Sequence, residues 1–315
     1  MRIVYFGSGE FAVPSLRWLH NSPHPALLVV TQPDRPAGRG KQLQPTPVAR
    51  RAEQEGLEVV RCPDVNAAGF VERIRGLDAD LGVTAAFGQK LHEPIRSAFR
   101  YGCINLHASL LPRYRGAAPV ARAILAGETM TGVSVFRMVD RMDAGPVLVR
   151  RQTMIGPAET CEDLLARLAG IACDALGAAM RLLEEDPHAP GEPQDESQAC
   201  PAPRLSKADG LLRFDEPAEQ LARRCRAMWP WPTARCRYVP RHGEPVEVAL
   251  AEVAVVPAEV REPPGTLTDA LTVAAACGTL EIYGIQPAGR RCMSWRDFVN
   301  GRNVRPGDRF ESLDA

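Results

Sequence analysis

The run Arg2-Ile3-Val4-Tyr5-Phe6-Gly7-Ser8-Gly9-Glu10-Phe11-Ala12 is a short apolar stretch that ends in a Gly-x-Gly turn. A continuous apolar run of this length, closed by glycine, predicts a strand buried on both faces, the kind found in parallel sheets. Moving outward, short apolar runs alternate with amphipathic stretches. Leu27–Val30, Leu81–Ala86 and Gly102–Leu106 repeat the strand signal, and Val133–Met138 with Val147–Arg150 reads as a late hairpin-like pair. Strands spaced by helical stretches predict an α/β, Rossmann-like, mostly parallel sheet. Thr160–Glu185 is the clearest helix, with Thr160 as N-cap, Asp163 in the first turn, and Leu164, Leu165, Leu168, Ile171 and Leu176 along one side.

That pattern breaks at Asp186–Pro203, where Pro187, Pro190, Gly191, Pro193, Pro201 and Pro203 predict an extended linker. Beyond it, Val246–Val256, Thr266–Thr268, Leu271–Ala276 and Thr279–Ile285 are short strand-like runs separated by Gly and Pro, as in a small OB-like β-barrel. The expected organisation is residues 1–188 as a catalytic domain, 189–205 as linker and 206–315 as the barrel. A chain of 315 residues is long enough for two such domains.

Composition narrows the class. With 45% hydrophobic and 24% charged residues the chain reads as globular, able to bury its own core. Formal charge is zero, from 38 basic and 38 acidic residues, which argues against a general nucleic-acid binder. Nine cysteines, an odd number with no C-x-x-C pair, fit reduced, mostly packed thiols rather than a disulfide framework or a zinc site. No metal is expected. No run reaches the length needed to span a bilayer and no targeting pattern opens the chain, so a cytoplasmic, monomeric protein is expected.

Gly7-Ser8-Gly9-Glu10-Phe11-Ala12 matches the G-x-G-x-x-G/A dinucleotide fingerprint. A nicotinamide site also requires an acidic residue at the end of the second strand, where Thr31 and Gln32 stand instead. The simpler reading is a tight strand-to-helix turn.

The segment with chemistry in it is Gly102-Cys103-Ile104-Asn105-Leu106-His107-Ala108-Ser109-Leu110-Leu111-Pro112-Arg113-Tyr114-Arg115-Gly116-Ala117-Ala118-Pro119. Asn105 and His107 are two apart on a strand, so both face one side at the carboxyl edge of the sheet. Asp143 lies in Arg141-Met142-Asp143-Ala144-Gly145, a turn between the two late strands. A carboxamide and an imidazole that donate to a developing oxyanion, with a carboxylate to take a proton, suit acyl transfer to an amine. Such an acceptor needs no Ser or Cys nucleophile.

The N-x-H-x-S-L-L-P core, the distant Asp turn and the parallel-sheet order resemble the folate-dependent formyltransferases. Within that family, Thr31-Gln32-Pro33-Asp34-Arg35-Pro36-Ala37-Gly38-Arg39-Gly40-Lys41 is similar to the insertion loop of the branch whose acceptor is methionyl-tRNA. Leu205-Ser206-Lys207, Trp229-Pro230-Trp231-Pro232-Thr233-Ala234, Gln286-Pro287-Ala288-Gly289-Arg290 and Pro306-Gly307-Asp308-Arg309 extend the likeness over essentially the whole chain. The resemblance implies transfer of formyl from 10-formyltetrahydrofolate to the α-amino group of initiator methionyl-tRNA. It implies Asn105, His107 and Asp143 as catalytic. Ser109, Leu110, Leu111 and Pro112, with Ala86, Phe87, Gly88 and Gln89, would contact the folate. Arg35, Arg39 and Lys41 would contact the tRNA. Two further arginine clusters (Arg223 to Arg241, and Arg290 to Arg309) would help the second domain hold RNA, with Trp229 and Trp231 expected in the core. Departures are Gly7-Ser8-Gly9, where many relatives carry Gly-Thr-Pro, and Pro146, where many carry an acid. The rival readings are a formyltransferase acting on an amino sugar-nucleotide, an NAD(P)-dependent oxidoreductase and a non-catalytic tRNA binder.

Overall fold

The computed structural model describes residues 1–37 and 42–313, which fall into two compact units. The first holds a seven-stranded sheet in the spatial order Val147–Met154, Met130–Arg137, Cys103–His107, Leu81–Ala85, Ile3–Gly7, Ala26–Thr31, Val59–Arg61. The strands from Cys103–His107 to Val59–Arg61 run parallel, and Met130–Arg137 and Val147–Met154 add antiparallel pairings at one edge. Every residue of Ile3–Gly7 is buried, as a sheet covered on both faces requires. Val4, Phe6, Leu28 and Val30 pack on one face with Val71 and Ile74 of the helix Ala68–Arg75. Tyr5 points the other way, and its hydroxyl donates to the Ala12 carbonyl at 2.7 Å. The α/β reading therefore holds. The strand Val59–Arg61 escaped it, because a three-residue run carries too little periodicity to register.

The long helix is Cys161–Glu185, and the Asp163 N–H bonds the Thr160 hydroxyl at 3.2 Å, so Thr160 is the cap its sequence predicts. No helix among the described residues is long and apolar enough to cross a membrane. All nine cysteines are free, and Cys277 and Cys292 are exposed.

The second unit is an antiparallel sheet in the order Val273–Ala274, Thr279–Pro287, Val246–Val256, Ala234–Val239, Arg309–Glu311, with Met293–Ser294 beside Thr279–Pro287. Thr266 bridges Arg309 and Leu267 bridges Val273, so the two edges meet and the sheet nearly closes into the expected barrel. The strand signals at Thr266–Thr268 and Leu271–Ala276 shrink to this bridge and to Val273–Ala274. Leu250, Ile285, Phe310, Tyr238 and Phe298 fill the interior. The tryptophans are not core residues: Trp229 is half-buried and Trp231 is exposed.

Asp308 is the polar keystone of that interior. Its carboxylate accepts the Tyr238 hydroxyl at 2.6 Å and the Arg241 and Arg305 N–H groups at 2.9 Å each. Burial alone would raise its pKa, but these three donors hold it below the ordinary carboxylate range. A depressed folded-state pKa stabilises above the unfolded value, and that gain is lost as pH falls through the folded value. Asp308→Ala, which strands the buried Tyr238 hydroxyl, is expected to cost about 3 kcal/mol at neutral pH by chemical denaturation. The gap should narrow in acid.

Candidate active site

The carboxyl ends of Ile3–Gly7, Leu81–Ala85 and Cys103–His107 lie side by side at one edge of the parallel sheet, the edge where open α/β sheets bind their ligands. Thr84 lies beside Asn105 in register, and its hydroxyl sits 2.9 Å from Asn105 Oδ1. That hydroxyl also lies 2.8 Å from the Ile104 carbonyl, so its one proton is shared, and where it goes to Oδ1 the Asn105 carboxamide keeps Nδ2 for another partner. Two residues on, His107 is buried, and its Nε2 donates to the Tyr114 carbonyl at 2.8 Å. A carbonyl only accepts, so Nε2 carries a proton and Nδ1 is the ring nitrogen that faces Asp143. Tyr114 reaches this position in the left-handed region, φ 61°.

Asp143 Oδ2 lies 3.7 Å from His107 Nδ1 and accepts the Gly116 N–H at 2.8 Å. His107 and Asp143 therefore meet, and Asn105 lies two residues before His107 on the same strand, facing the same side. Asp143 arrives by an indirect route. Arg137 pairs with Ile104, so the connection 138–146 leaves from the amino end of the strand Cys103–His107 and must fold back over the sheet. Asp143 itself is left-handed, φ 51°, a costly conformation for a non-glycine residue. Gly145 allows the tight return, since a Cβ there would stand 1.7 Å from the Arg137 carbonyl oxygen.

The expected folate segments divide by what they can offer. Ser109 is fully buried and spends its hydroxyl on the Arg113 carbonyl at 2.7 Å, while Leu111 packs with Phe136 and Val147. Gln89 bonds the Val65 N–H and the Cys62 carbonyl, and Phe87 is buried edge-on against Phe6. These four build the walls. Leu110 and Pro112 are half-buried, and Ala86 and Gly88, both at positive φ, are exposed, so they present surface and backbone to a ligand.

The glycine turn is occupied from within. The Ser8 and Gly9 N–H groups both donate to the Ala86 carbonyl, at 3.2 and 3.1 Å. Those are the amides a pyrophosphate would need. Thr31 and Gln32 bond Ser8, Thr46 and the Phe87 carbonyl, and no acid stands among them.

Arg35–Ala37 pairs antiparallel with Gln42–Gln44, so the predicted insertion is a β-hairpin. Arg35 is exposed and bonds Gln32. Arg39 and Lys41 lie outside the described residues. One functional candidate gave no sequence signal: Gln194, in the Pro-rich stretch, donates to the Asp143 and Gly145 carbonyls.

The Formyl transferase profile matches residues 1–180, and the profile "Formyl transferase, C-terminal domain" matches 204–303. A methionyl-tRNA formyltransferase of Methylococcus capsulatus is 44% identical over 303 residues, covering 95% of this chain and 96% of its own. That of Halorhodospira halophila is 43% identical over 312 residues, covering 98% of each. Among solved structures, HypX from Aquifex aeolicus in complex with tetrahydrofolic acid aligns with a TM-score of 0.63 at 17% identity, over 97% of this chain and 48% of that one. The N-formyltransferase of Helicobacter canadensis, bound to folinic acid and dTDP-3-aminofucose, aligns with a TM-score of 0.67 at 14% identity, over 91% and 99%. At such identities the likeness is one of fold.

Proposed function

This chain belongs to the formyl transferase family, in its methionyl-tRNA formyltransferase branch, and on that premise we propose that it moves the formyl group of 10-formyltetrahydrofolate to the α-amino group of initiator methionyl-tRNA. The observation that supports the chemistry is the approach of His107 Nδ1 to Asp143 Oδ2, 3.7 Å apart, with Asn105 two residues before His107 on the same strand. The neutral amine attacks the formyl carbon. Asn105 Nδ2 and the His107 Nδ1–H of the imidazolium donate to the oxyanion of the tetrahedral intermediate. Asp143 takes the proton that the amine sheds. The oxyanion then collapses to the carbonyl as the bond from the formyl carbon to the folate N10 breaks, and that nitrogen leaves with the proton Asp143 had taken up, which restores the carboxylate. Free α-amino groups have a pKa of about 7.7–8.0, so a useful neutral fraction exists near neutral pH.

The folate would lie against Leu110, Pro112 and the Ala86–Gly88 backbone, in a cleft walled by Ser109, Leu111, Phe87 and Gln89. The segment from Arg35 to Gln44 would meet the tRNA through Arg35, Arg39 and Lys41, since guanidinium and ammonium groups suit phosphate contact. The domain reading is residues 1–188 catalytic, 189–205 connecting and 206–315 tRNA-binding, in a cytoplasmic monomer. The test is transfer of labelled formyl from 10-formyltetrahydrofolate to charged initiator tRNA. Formylation of an amino sugar-nucleotide in its place would assign the chain to the rival branch. Identities of 44% over the full length on one side and 14% on the other favour the tRNA acceptor. Saturable binding of a nicotinamide dinucleotide would revive the oxidoreductase reading, against which the Ala86 carbonyl's hold on the Ser8 and Gly9 amides speaks.

Arg39→Ala is expected to raise the KM for tRNA about tenfold while leaving folate affinity unchanged, as loss of one or two phosphate contacts would. Equal loss of folate affinity would show that the hairpin belongs to the other substrate.

A further inference from the structure

The Pro-rich stretch 187–203 belongs to the first unit. The backbone of Val147 and Glu192 exchanges hydrogen bonds of 2.8 and 2.7 Å, and Pro201–Ala202 pairs in parallel with Arg115–Gly116. Arg137 donates to the Pro187 and Ala189 carbonyls. The Pro-rich stretch is thus strapped along the first unit rather than hanging free, and Gln194 sits at its middle.

Every hydrogen-bonding position of the Gln194 carboxamide is used. Oε1 accepts Nε and Nη2 of Arg115 at 3.0 and 2.8 Å, and Nε2 donates to the carbonyls of Asp143 at 2.8 Å and Gly145 at 2.7 Å. The amide can sit only this way round, because a guanidinium only donates and carbonyls only accept. Arg115 is itself nearly buried and bidentate to Glu196, which also pairs with Arg141 at 2.8 Å. The bonds of Gln194 therefore fall on the backbone of the one turn that holds Asp143 at φ 51°. The neighbouring Gly116 N–H then fixes the carboxylate at 2.8 Å.

We propose that Gln194 is a positioning residue for the reaction, a clamp that holds the Asp143 turn in its strained conformation and so aims the carboxylate at His107. This rests on the functional reading above. It assigns to the stretch 189–205 a part in catalysis as well as in connection. Gln194 touches no reacting atom, and its whole influence passes through Asp143.

Two substitutions separate the clamp from general stability. Gln194→Met keeps the bulk and loses every bond. Gln194→Glu keeps an acceptor for Arg115 and loses both donors to the turn. Both are expected to lower kcat about tenfold to a hundredfold, the usual cost of misplacing a reacting group by an ångström or so, with both KM values changed less than threefold. In an Asp143→Ala background neither should lower kcat further, since two residues acting as one unit are not additive. Amide hydrogen exchange at Gly116, read in peptides spanning 113–118, should accelerate in both variants. That measurement needs no substrate, so it judges the clamp even if the assigned acceptor were wrong. Full activity in the Glu variant, an additive loss in the Asp143→Ala background, or unchanged Gly116 exchange would each overturn the proposal.

Discussion

Asp143→Ala is expected to lower kcat for formyl transfer by two orders of magnitude or more, with the KM for each substrate within about threefold of its original value. A positioned general base contributes about 10²–10⁴-fold, and the carboxylate here has few other duties. Its bond to the Gly116 N–H orients it, and the 3.7 Å gap to His107 Nδ1 leaves room for the incoming amine's proton to be shared. Asp143→Asn is the sharper substitution. A carboxamide has the same shape and can still accept from Gly116, so the turn should keep its place, but it cannot take up a proton at neutral pH. Its kcat should fall about as far as that of the alanine variant. If Asp143→Asn turns over within threefold of the unaltered protein, Asp143 serves shape alone and the amine loses its proton elsewhere. Melting temperature is the control, since both variants should unfold close to the original.

Much of this site was legible in the chain because its logic is local. The two-residue spacing of Asn105 and His107 fixes a common face on any strand, and the apolar runs around Ile3–Gly7, Leu81–Ala85 and Cys103–His107 mark strands whatever lies between them. What escaped depends on contacts distant in sequence. No local signal says that the Asp143 turn departs from the amino end of its neighbouring strand and folds back across the sheet. None says that Ser109 and Gln89, polar residues in a predicted binding segment, spend their hydrogen bonds on the backbone nearby. The prolines of 187–203 suggest an extended linker, but the stretch belongs to the first unit, with a 3-10 turn at Glu196–Gln198 and Pro201–Ala202 laid on Arg115–Gly116, and proline alone does not tell a free linker from chain laid on a neighbour. Barrel closure by Thr266 and Leu267 rests on single bridges that leave almost no periodicity to read. Trp231 shows the opposite failure. A large apolar side chain favours the interior on average, yet here it stands 55% exposed between two prolines.

Removing one donor of the oxyanion site should be as damaging. Asn105→Ala is expected to lower kcat by about 10²–10³-fold, the usual effect of deleting one preorganised donor to a developing oxyanion. The Thr84 hydroxyl lies 2.9 Å from Oδ1 on the adjacent strand and 2.8 Å from the Ile104 carbonyl, so its one proton is shared between them, and the share on Oδ1 steadies the carboxamide before any substrate arrives. The loss should fall on kcat and kcat/KM together, because the negative charge exists only in the transition state and tetrahedral intermediate and is absent from the bound formyl group. Asn105→Asp should do worse than alanine, since it exchanges a donor for a carboxylate aimed at the same charge. Thr84→Val offers the graded case. It keeps the strand packing and the Asn105 side chain but frees the carboxamide to rotate, so a loss of only a few-fold is expected, in kcat alone. Should the aspartate variant match or exceed the alanine variant in turnover, no negative charge builds beside residue 105, and the oxyanion must be held by His107 and the backbone instead.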